Sequence, residues 1–360
     1  MSKDRVLVAM SGGIDSSITA LLLKELGYDI VGITLKTWEY SSTCSTGKET
    51  GCCSIDSFND ARDLAVQIGF PHYIIDVQKE FNDLIINDFI QEYMHGRTPN
   101  PCVNCNTYIK WDYLLKKANQ LNCKFIATGH YAQIKSENGR FYVSKGKDEK
   151  KDQSYVLWGL SQESLSRTIL PLGQYHKSEI KQLAADRGFK SLSEKRESYE
   201  ICFVPDNEYR DFLKSRNPEL EKTVADGNFV DSKGIFLGKH KGFPFYTIGQ
   251  RKGLDIAVGH PLYVVKIDYL TNSIVLGTID ELKSSNLKLE NVNFLKETNL
   301  SPEKEYLTKI RYKDVGTKCK IIQENNSLNI HFLEPVSSIT SGQSAVIYDG
   351  DDVIAGGVIC

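Results

Sequence analysis

Over the first half of the chain, short apolar runs alternate with apolar residues at helical spacing. Val6–Met10 is a compact run of the kind buried on both faces of a sheet, and Ile18, Leu21, Leu22 and Leu26 then form a helical stripe closed by Gly27. Ile30–Leu35 predicts a second strand. Ser54 is placed to cap a helix through Ala61, Leu64, Ala65 and Ile68 to Gly69. His72–Val77 predicts a third strand, Phe81–Tyr93 a helix and Phe125–Gly129 another strand. Such alternation from Arg5 to about Lys190 predicts an α/β fold with a doubly wound parallel sheet.

The pattern changes near Pro205. A short helix around Tyr209–Leu213 leads into glycine-punctuated segments such as Gly234–Gly238. β-Branched runs follow, Leu262–Ile267 and Ser344–Tyr348 among them, bounded by Gly, Asp or Asn. These features predict a small central linker domain and a C-terminal β-barrel, with divisions at 1–205, 206–275 and 276–360. At 360 residues the chain exceeds what one core usually organises, which agrees with more than one domain.

No apolar run is long enough to span a bilayer and the N-terminus is too briefly apolar for a secretory signal, so the expected compartment is the cytoplasm, with no membrane partner. In that compartment nine cysteines point to redox, metal or sulfur chemistry rather than to disulfide staples. A formal charge of -2 gives no global attraction for nucleic acid, so RNA contacts would need local basic patches. Lys239, Lys241, Arg251 and Lys252 around Phe243, Phe245 and Tyr246 form one candidate; Arg311-Tyr-Lys313 forms another. A solvated face over packed aromatics is the plainer reading of either.

Ala9-Met-Ser-Gly-Gly-Ile-Asp-Ser-Ser17 lies between the first strand and the first helix. Gly12 and Gly13 permit a tight turn, and the backbone amides, the hydroxyls of Ser11, Ser16 and Ser17 and the helix dipole together make an anion cradle. The loop contains no lysine to reach for terminal phosphates, unlike Gly-x4-Gly-Lys loops. It resembles the loop of ATP pyrophosphatases, which implies cleavage of ATP between the α- and β-phosphates. Asp15 is the carboxylate nearest to hold Mg²⁺ there.

Cys102 and Cys105 sit in the proline-stiffened stretch Gly96–Trp111, and Cys202 follows in Glu200-Ile-Cys-Phe203. A lone Cys-x-x-Cys pair fits zinc, redox chemistry or coincidence, and cannot by itself complete a four-sulfur zinc site. Cys123, Cys319 and Cys360 read as small buried hydrophobes.

Five segments recur in one order: Ser11–Ser17, Pro99–Asn106, Ala127–Ala132, Lys151–Tyr155 and Ile201–Phe203. Together they resemble the tRNA-specific 2-thiouridylase (MnmA) family over essentially the whole chain. The resemblance implies an N-terminal domain like that of the adenine nucleotide alpha hydrolases and ATP-dependent 2-thiolation of the wobble uridine in the tRNA anticodon loop. It also implies a sulfur donor protein, either a cysteine desulfurase or a sulfur relay protein, and a monomer on one tRNA. Cys105 matches the family's nucleophile and Cys202 the persulfide carrier, with Asp15 as the third catalytic candidate. Ala9, Met10, Ser11, Gly12, Gly13, Ile14, Asp15, Ser16, Leu35 and Gly129 match ATP contacts. Asn100, Pro101, Cys102, His130, Lys151, Asp152, Gln153, Arg311, Tyr312 and Gln343 fall where the family touches tRNA; Asp152 and Gln153 are expected to position a base edge.

Many family members carry Asp at position 102, and this chain adds Cys44, Cys52 and Cys53 after the second strand. The thiols of Cys102, Cys105 and Cys202 are also a ligand set for a 4Fe–4S cluster with one open iron, although the persulfide relay is preferred. Competing readings are another adenylating tRNA modifier or amidotransferase, which needs the loop but not the cysteines, and a non-enzymatic RNA-binding protein, against which the intact loop argues.

Overall fold

The computed structural model describes residues 4–38, 55–189, 192, 201–204 and 208–360. The cap at Ser54 and the cysteines at 44, 52 and 53 lie outside them. The chain groups into two compact units: one comprises Met1–Ile85, Cys102–Phe203 and Asp351–Ile354, the other Ile86–Pro101, Val204–Gly350 and Ala355–Cys360.

The first unit is built on a parallel sheet. β1 (Arg5–Ala9) lies between β2 (Asp29–Lys36) and β4 (Phe125–Ala127), with β3 (His72–Asp76) and β7 (Thr168–Ile169) outside them, giving the order β3-β2-β1-β4-β7. Central placement explains why Val6, Leu7 and Val8 are wholly buried. α1 (Ile14–Glu25) and α2 (Ile55–Ile68) follow β1 and β2. Strand order reverses at β1, where open α/β sheets form their ligand crevice beyond the carboxyl ends of the strands.

The buried face of α1 differs from the expected stripe. Leu26 is exposed, whereas Ser16, Ser17 and Thr19 are buried with Ile14, Ile18 and Leu23. The helix is enclosed by neighbours on more than one side, α8 (Lys177–Asp186) among them, so small hydroxyl residues serve where larger apolar ones would not fit.

The predicted helix over 81–93 is one run that starts at α3 (Gln78–Phe81), passes through a π-helical stretch at Asn82–Ile86 and ends in α4 (Asn87–Met94). A hairpin of β5 (Ala132–Glu137) and β6 (Arg140–Lys145) was not anticipated, yet Asn138-Gly139, both at positive φ, is a strong hairpin-turn signal.

In the second unit, β8 (Gly227–Asp231), β9 (Phe236–His240), β10 (Tyr263–Asp268) and β11 (Ser273–Gly277) form a sheet in the order β10-β11-β8-β9. β12 (Lys283–Phe294), β13 (Tyr306–Lys309), β14 (Thr317–Glu324), β15 (Ser327–Ser337), β16 (Ser344–Asp349) and β17 (Asp352–Ile359) follow. They run β12-β15-β14-β13-β16-β17 and close through β12–β17, with Leu289 opposite Ile359, so the expected barrel is present. Along β14 and β15, Cys319, Ile321, Leu328 and Ile330 alternate inward. Cys123 and Cys319 are buried as expected; burial pushes the Cys319 thiol up to about 11. Cys360 is exposed, because the strand ends before it and leaves it at the terminus.

α5 (Pro101–Asn104) leads into a π-helix at Cys105–Trp111, continued by α6 (Asp112–Gln120). Wider π-helical turns are common at functional positions, and this one carries Cys105 at its first residue. Its far end is fixed by Trp111, fully buried, whose indole N–H donates to Thr168 Oγ1 at 2.7 Å. Trp111→Phe should therefore lower unfolding free energy by about 1–3 kcal/mol, read by urea unfolding, because a buried hydroxyl loses its donor.

Candidate active site

The Ala9–Ser17 loop is braced by its own side chains. Ser16 Oγ accepts from the Ser11 amide at 3.1 Å, lies 3.3 Å from Ser11 Oγ and donates to Gly13 O at 3.1 Å. Gly12 has φ +69°, and a side chain there would also collide with the Ser57 carbonyl of α2. Met10 donates to Ile33 O at 2.7 Å, tying the loop to β2, whose penultimate residue is Leu35. The amides in the first turn of α1 lack intrahelical acceptors, as at every helix start. Ser17 Oγ and Thr19 Oγ1 are buried without a hydrogen-bond partner.

The segment after β4 completes the cradle. A Cβ on Gly129 would stand 2.8 Å from Asp15 C and 2.9 Å from Ser16 N, so only glycine allows this approach to the loop backbone. Tyr131 Oη donates to Asp15 Oδ1 at 2.8 Å. Lys177 Nζ lies 2.7 Å from each Asp15 oxygen, with 9% of its side chain exposed. The loop sequence contains no lysine, but folding brings one to it from α8.

His130 is 8% exposed, with Nδ1 2.7 Å from Thr128 Oγ1 and its ring 5.3 Å from that of Trp111. Burial, reinforced by the Lys110 charge, holds its pKa well below the ordinary value. Cys105 and Cys202 are half-buried, while Cys102 reaches solvent. Desolvation by nearby protein still pushes the Cys102 thiol up, with Lys110 pulling the other way. Phe203, next to Cys202, meets Phe81 of α3 edge-on at 5.6 Å, and α3 packs against the Cys105–Trp111 helix.

Among the described residues no group of three or more His, Cys, Asp or Glu side chains is arranged to hold a metal ion. Cys102, Cys105 and Cys202 therefore do not form an assembled cluster ligand set in this structure.

Several residues expected to face tRNA have partners within the protein. Asp152 accepts from the Gly146 amide at 3.1 Å, the Ser154 amide at 3.1 Å and Ser154 Oγ at 2.8 Å. Gln153 Oε1 accepts from the Tyr131 amide at 2.9 Å, and the Gln153 amide donates to Tyr131 O at 2.8 Å. The Lys151–Gln153 turn thus sets Tyr131, which in turn grips Asp15.

In the second unit, Gln343 Nε2 donates to Thr98 O at 3.0 Å and Pro99 O at 2.8 Å, which fixes the strand of chain leading to Asn100 and Pro101. Arg311 and Tyr312 are exposed. The expected stacking surface at 243–246 is not formed: Phe243, Phe245 and Tyr246 are each about 5–6% exposed, and Tyr246 packs on Phe229 at 5.3 Å. Apolar burial claims these rings and leaves Lys241, Arg251 and Lys252 to solvent.

Sequence reasoning assigned no role to Tyr131, Lys110 or Lys177. Tyr131 lies within the Ala127–Ala132 segment, and the sequence signal beside Lys177 is the His176–Glu179 capping box at the start of its helix.

The fold and this loop define a HUP-type nucleotide-binding α/β domain followed by β-rich C-terminal domains. Residues 4–206 match the model described as tRNA methyl transferase HUP domain, 210–278 the tRNA methyl transferase PRC-barrel domain and 284–359 the aminomethyltransferase beta-barrel domain. The chain is 56% identical to the tRNA-specific 2-thiouridylase MnmA of Cytophaga hutchinsonii over 99% of its own length and 97% of that protein. It is 57% identical to the one from Amoebophilus asiaticus, covering 100% and 96%, and 52% identical to the one from Salinibacter ruber, covering 99% and 94%. The chain belongs to the MnmA family of tRNA-specific 2-thiouridylases.

Three tests follow from this geometry. Asp152→Ala should cost about 1–3 kcal/mol, seen as a lower melting temperature, because it orphans the donors of its turn. Gly129→Ala should weaken ATP binding measured by calorimetry, since the loop backbone must move. His130 binds protons in the unfolded chain near its ordinary pKa of 6.5 but not in the folded one, so its contribution to stability is present above that value and lost as pH falls below it. Denaturation midpoints should drop from about pH 7 to about pH 5, and His130→Asn should flatten that slope.

Proposed function

We propose that this protein carries out ATP-dependent 2-thiolation of the wobble uridine of tRNA in the cytoplasm. The observation that carries this reading is a continuous path of contact: the Cys105 helix ends in Trp111, Trp111 packs on His130, and the flanking Gly129 and Tyr131 abut Asp15 and Ser16. A thiol-bearing helix and an anion loop joined in this way fit a reaction that needs an activated oxygen and a nucleophilic sulfur together.

Ala9–Ser16 with Gly129 would hold the ATP phosphates, and Leu35 the base side. The orphaned Ser17 hydroxyl and the close approach at Gly129 support this fit. Mg²⁺, when bound through Asp15, would offset phosphate charge.

The uridine 2-oxygen is a poor leaving group, so it attacks the α-phosphorus, releasing pyrophosphate and forming an adenylate. The outer sulfur of a Cys202 persulfide then bonds to C2, and AMP leaves with the oxygen. Cys105 attacks the inner sulfur, the S–S bond breaks, and 2-thiouridine departs from a Cys105–Cys202 disulfide. A thiol reductant and a sulfur donor protein, a desulfurase or relay protein, restore the persulfide each turnover.

The target base must leave the anticodon stack to reach these groups. In the first unit, Cys102, His130 and, through Tyr131, Lys151–Gln153 would act on the RNA; in the second unit, Asn100, Pro101, Arg311 and Tyr312 would meet it, with Gln343 acting through the Thr98–Pro99 backbone. On this reading segment 1–205 does the chemistry, while 206–275 and 276–360 hold the tRNA as one monomer.

The test is a thiolation assay with tRNA, ATP and a persulfide donor. Cys105→Ser and Cys202→Ser should each abolish 2-thiouridine formation while ATP still binds. Thiolation persisting in either variant would overturn the persulfide relay.

A further inference from the structure

Asn106 follows Cys105 in the π-helical stretch Cys105–Trp111 and is 2% exposed, yet the reaction derived above gives it nothing to do. Its Nδ2 donates to the Val156 carbonyl at 3.0 Å, and its buried Oδ1 has no hydrogen-bond partner among the described residues. Val156 lies in a short 3-10 helix, Ser154–Leu157, that packs against the π-helix. Thr107, the next residue, donates to Val103 O at 3.0 Å, and Gly159 leaves it room: a Cβ at position 159 would collide with Thr107 Oγ1.

Stability gives a poor account of an amide at this place. A buried hydrogen bond adds little net, whereas an acceptor left unsatisfied costs its desolvation, so a leucine of similar volume would serve the packing as well. What the amide supplies is direction: one bond ties the first turn of the Cys105 helix to one carbonyl. The far end of that helix is fixed by Trp111 on Thr168, so the helix is pinned at both ends, with Cys105 beside the first pin. Val156 in turn donates to Gln153 O at 3.2 Å, Gln153 bonds Tyr131 through its side chain and its backbone amide, and Tyr131 holds Asp15. All of these residues belong to the first unit. The turn that braces the Ala9–Ser17 loop therefore also carries the anchor of the Cys105 helix.

We propose that Asn106 is a positioning residue for Cys105: its amide, seated on Val156 and backed by the Thr107–Gly159 contact, sets the thiol at a fixed place relative to the turn that braces the Ala9–Ser17 loop. Asn106 acts through the helix and touches neither nucleotide nor base. This deepens the thiolation reading above and rests on it for the effect on turnover.

The experiment compares full-length wild type with Asn106→Leu and Gly159→Ala by two readouts. One is steady-state thiolation of tRNA with ATP and a persulfide donor, giving kcat and the KM for tRNA. The other needs no substrate: the rate at which iodoacetamide alkylates Cys105, followed by mass spectrometry, with Cys202 as comparator in the same chain. Both variants should lower kcat by about tenfold to a hundredfold with the KM for tRNA unchanged, the range for a reacting group displaced by about 1 Å. Cys105, released at its end of the helix, should alkylate faster while Cys202 keeps its wild-type rate. Adding Thr107→Ala to Gly159→Ala removes the colliding hydroxyl and should return both readouts toward wild type. A lower melting temperature with kcat unchanged, or equal acceleration of Cys105 and Cys202, would reduce Asn106 to a packing residue and overturn the proposal. Should Asn106→Leu fail to fold, Gly159→Ala with and without Thr107→Ala decides by the same criteria. Wild-type protein that makes no 2-thiouridine would sink the thiolation reading itself, and the alkylation comparison would still decide whether Asn106 positions Cys105.

Discussion

The approach of Gly129 to the backbone of Asp15 and Ser16 constrains everything around the loop. With a Cβ contact of 2.8 Å in prospect, no other residue allows β4 to deliver its following segment so near the start of α1. Because that approach is made, Tyr131 can reach Asp15 and His130 can turn back onto Trp111, so two elements distant in sequence share one wall. The sheet order makes the approach available: β1 and β4 are neighbours whose loops open at the same end.

Within each unit, several polar side chains hold backbone in position. Asp152 satisfies the amides of its own turn, Gln153 fixes Tyr131, and Gln343 fixes the backbone before Asn100. Such residues affect a substrate through the geometry they impose. A buried donor left without an acceptor is costly, so their side chains are committed before any RNA arrives. Arg311, Arg251 and Lys252, by contrast, keep their charges in water.

Relatives more than half identical over nearly the full chain bear the name 2-thiouridylase. Within the first unit, the Cys105–Trp111 helix meets the segment that follows β4 where the Trp111 ring packs on His130. The Lys177–Asp15 pair adds a cation that the loop sequence lacks, supplied from a helix 162 positions downstream in the chain.

Periodicity and glycine placement are local properties of the chain, so the alternating β and α elements, the loop between β1 and α1 and the C-terminal barrel were legible from the residues alone. It misjudged Leu26, Cys360 and the rings at 243–246, since burial depends on what packs from elsewhere. It carried the hairpin at 132–145 in Asn138-Gly139, a local signal that was there to read. Folding was needed to bring Lys177 to Asp15 and to turn Asp152 onto its own backbone. Those contacts join residues whose partners are chosen by the crossing of strands and helices, and no spacing along the chain encodes such a meeting.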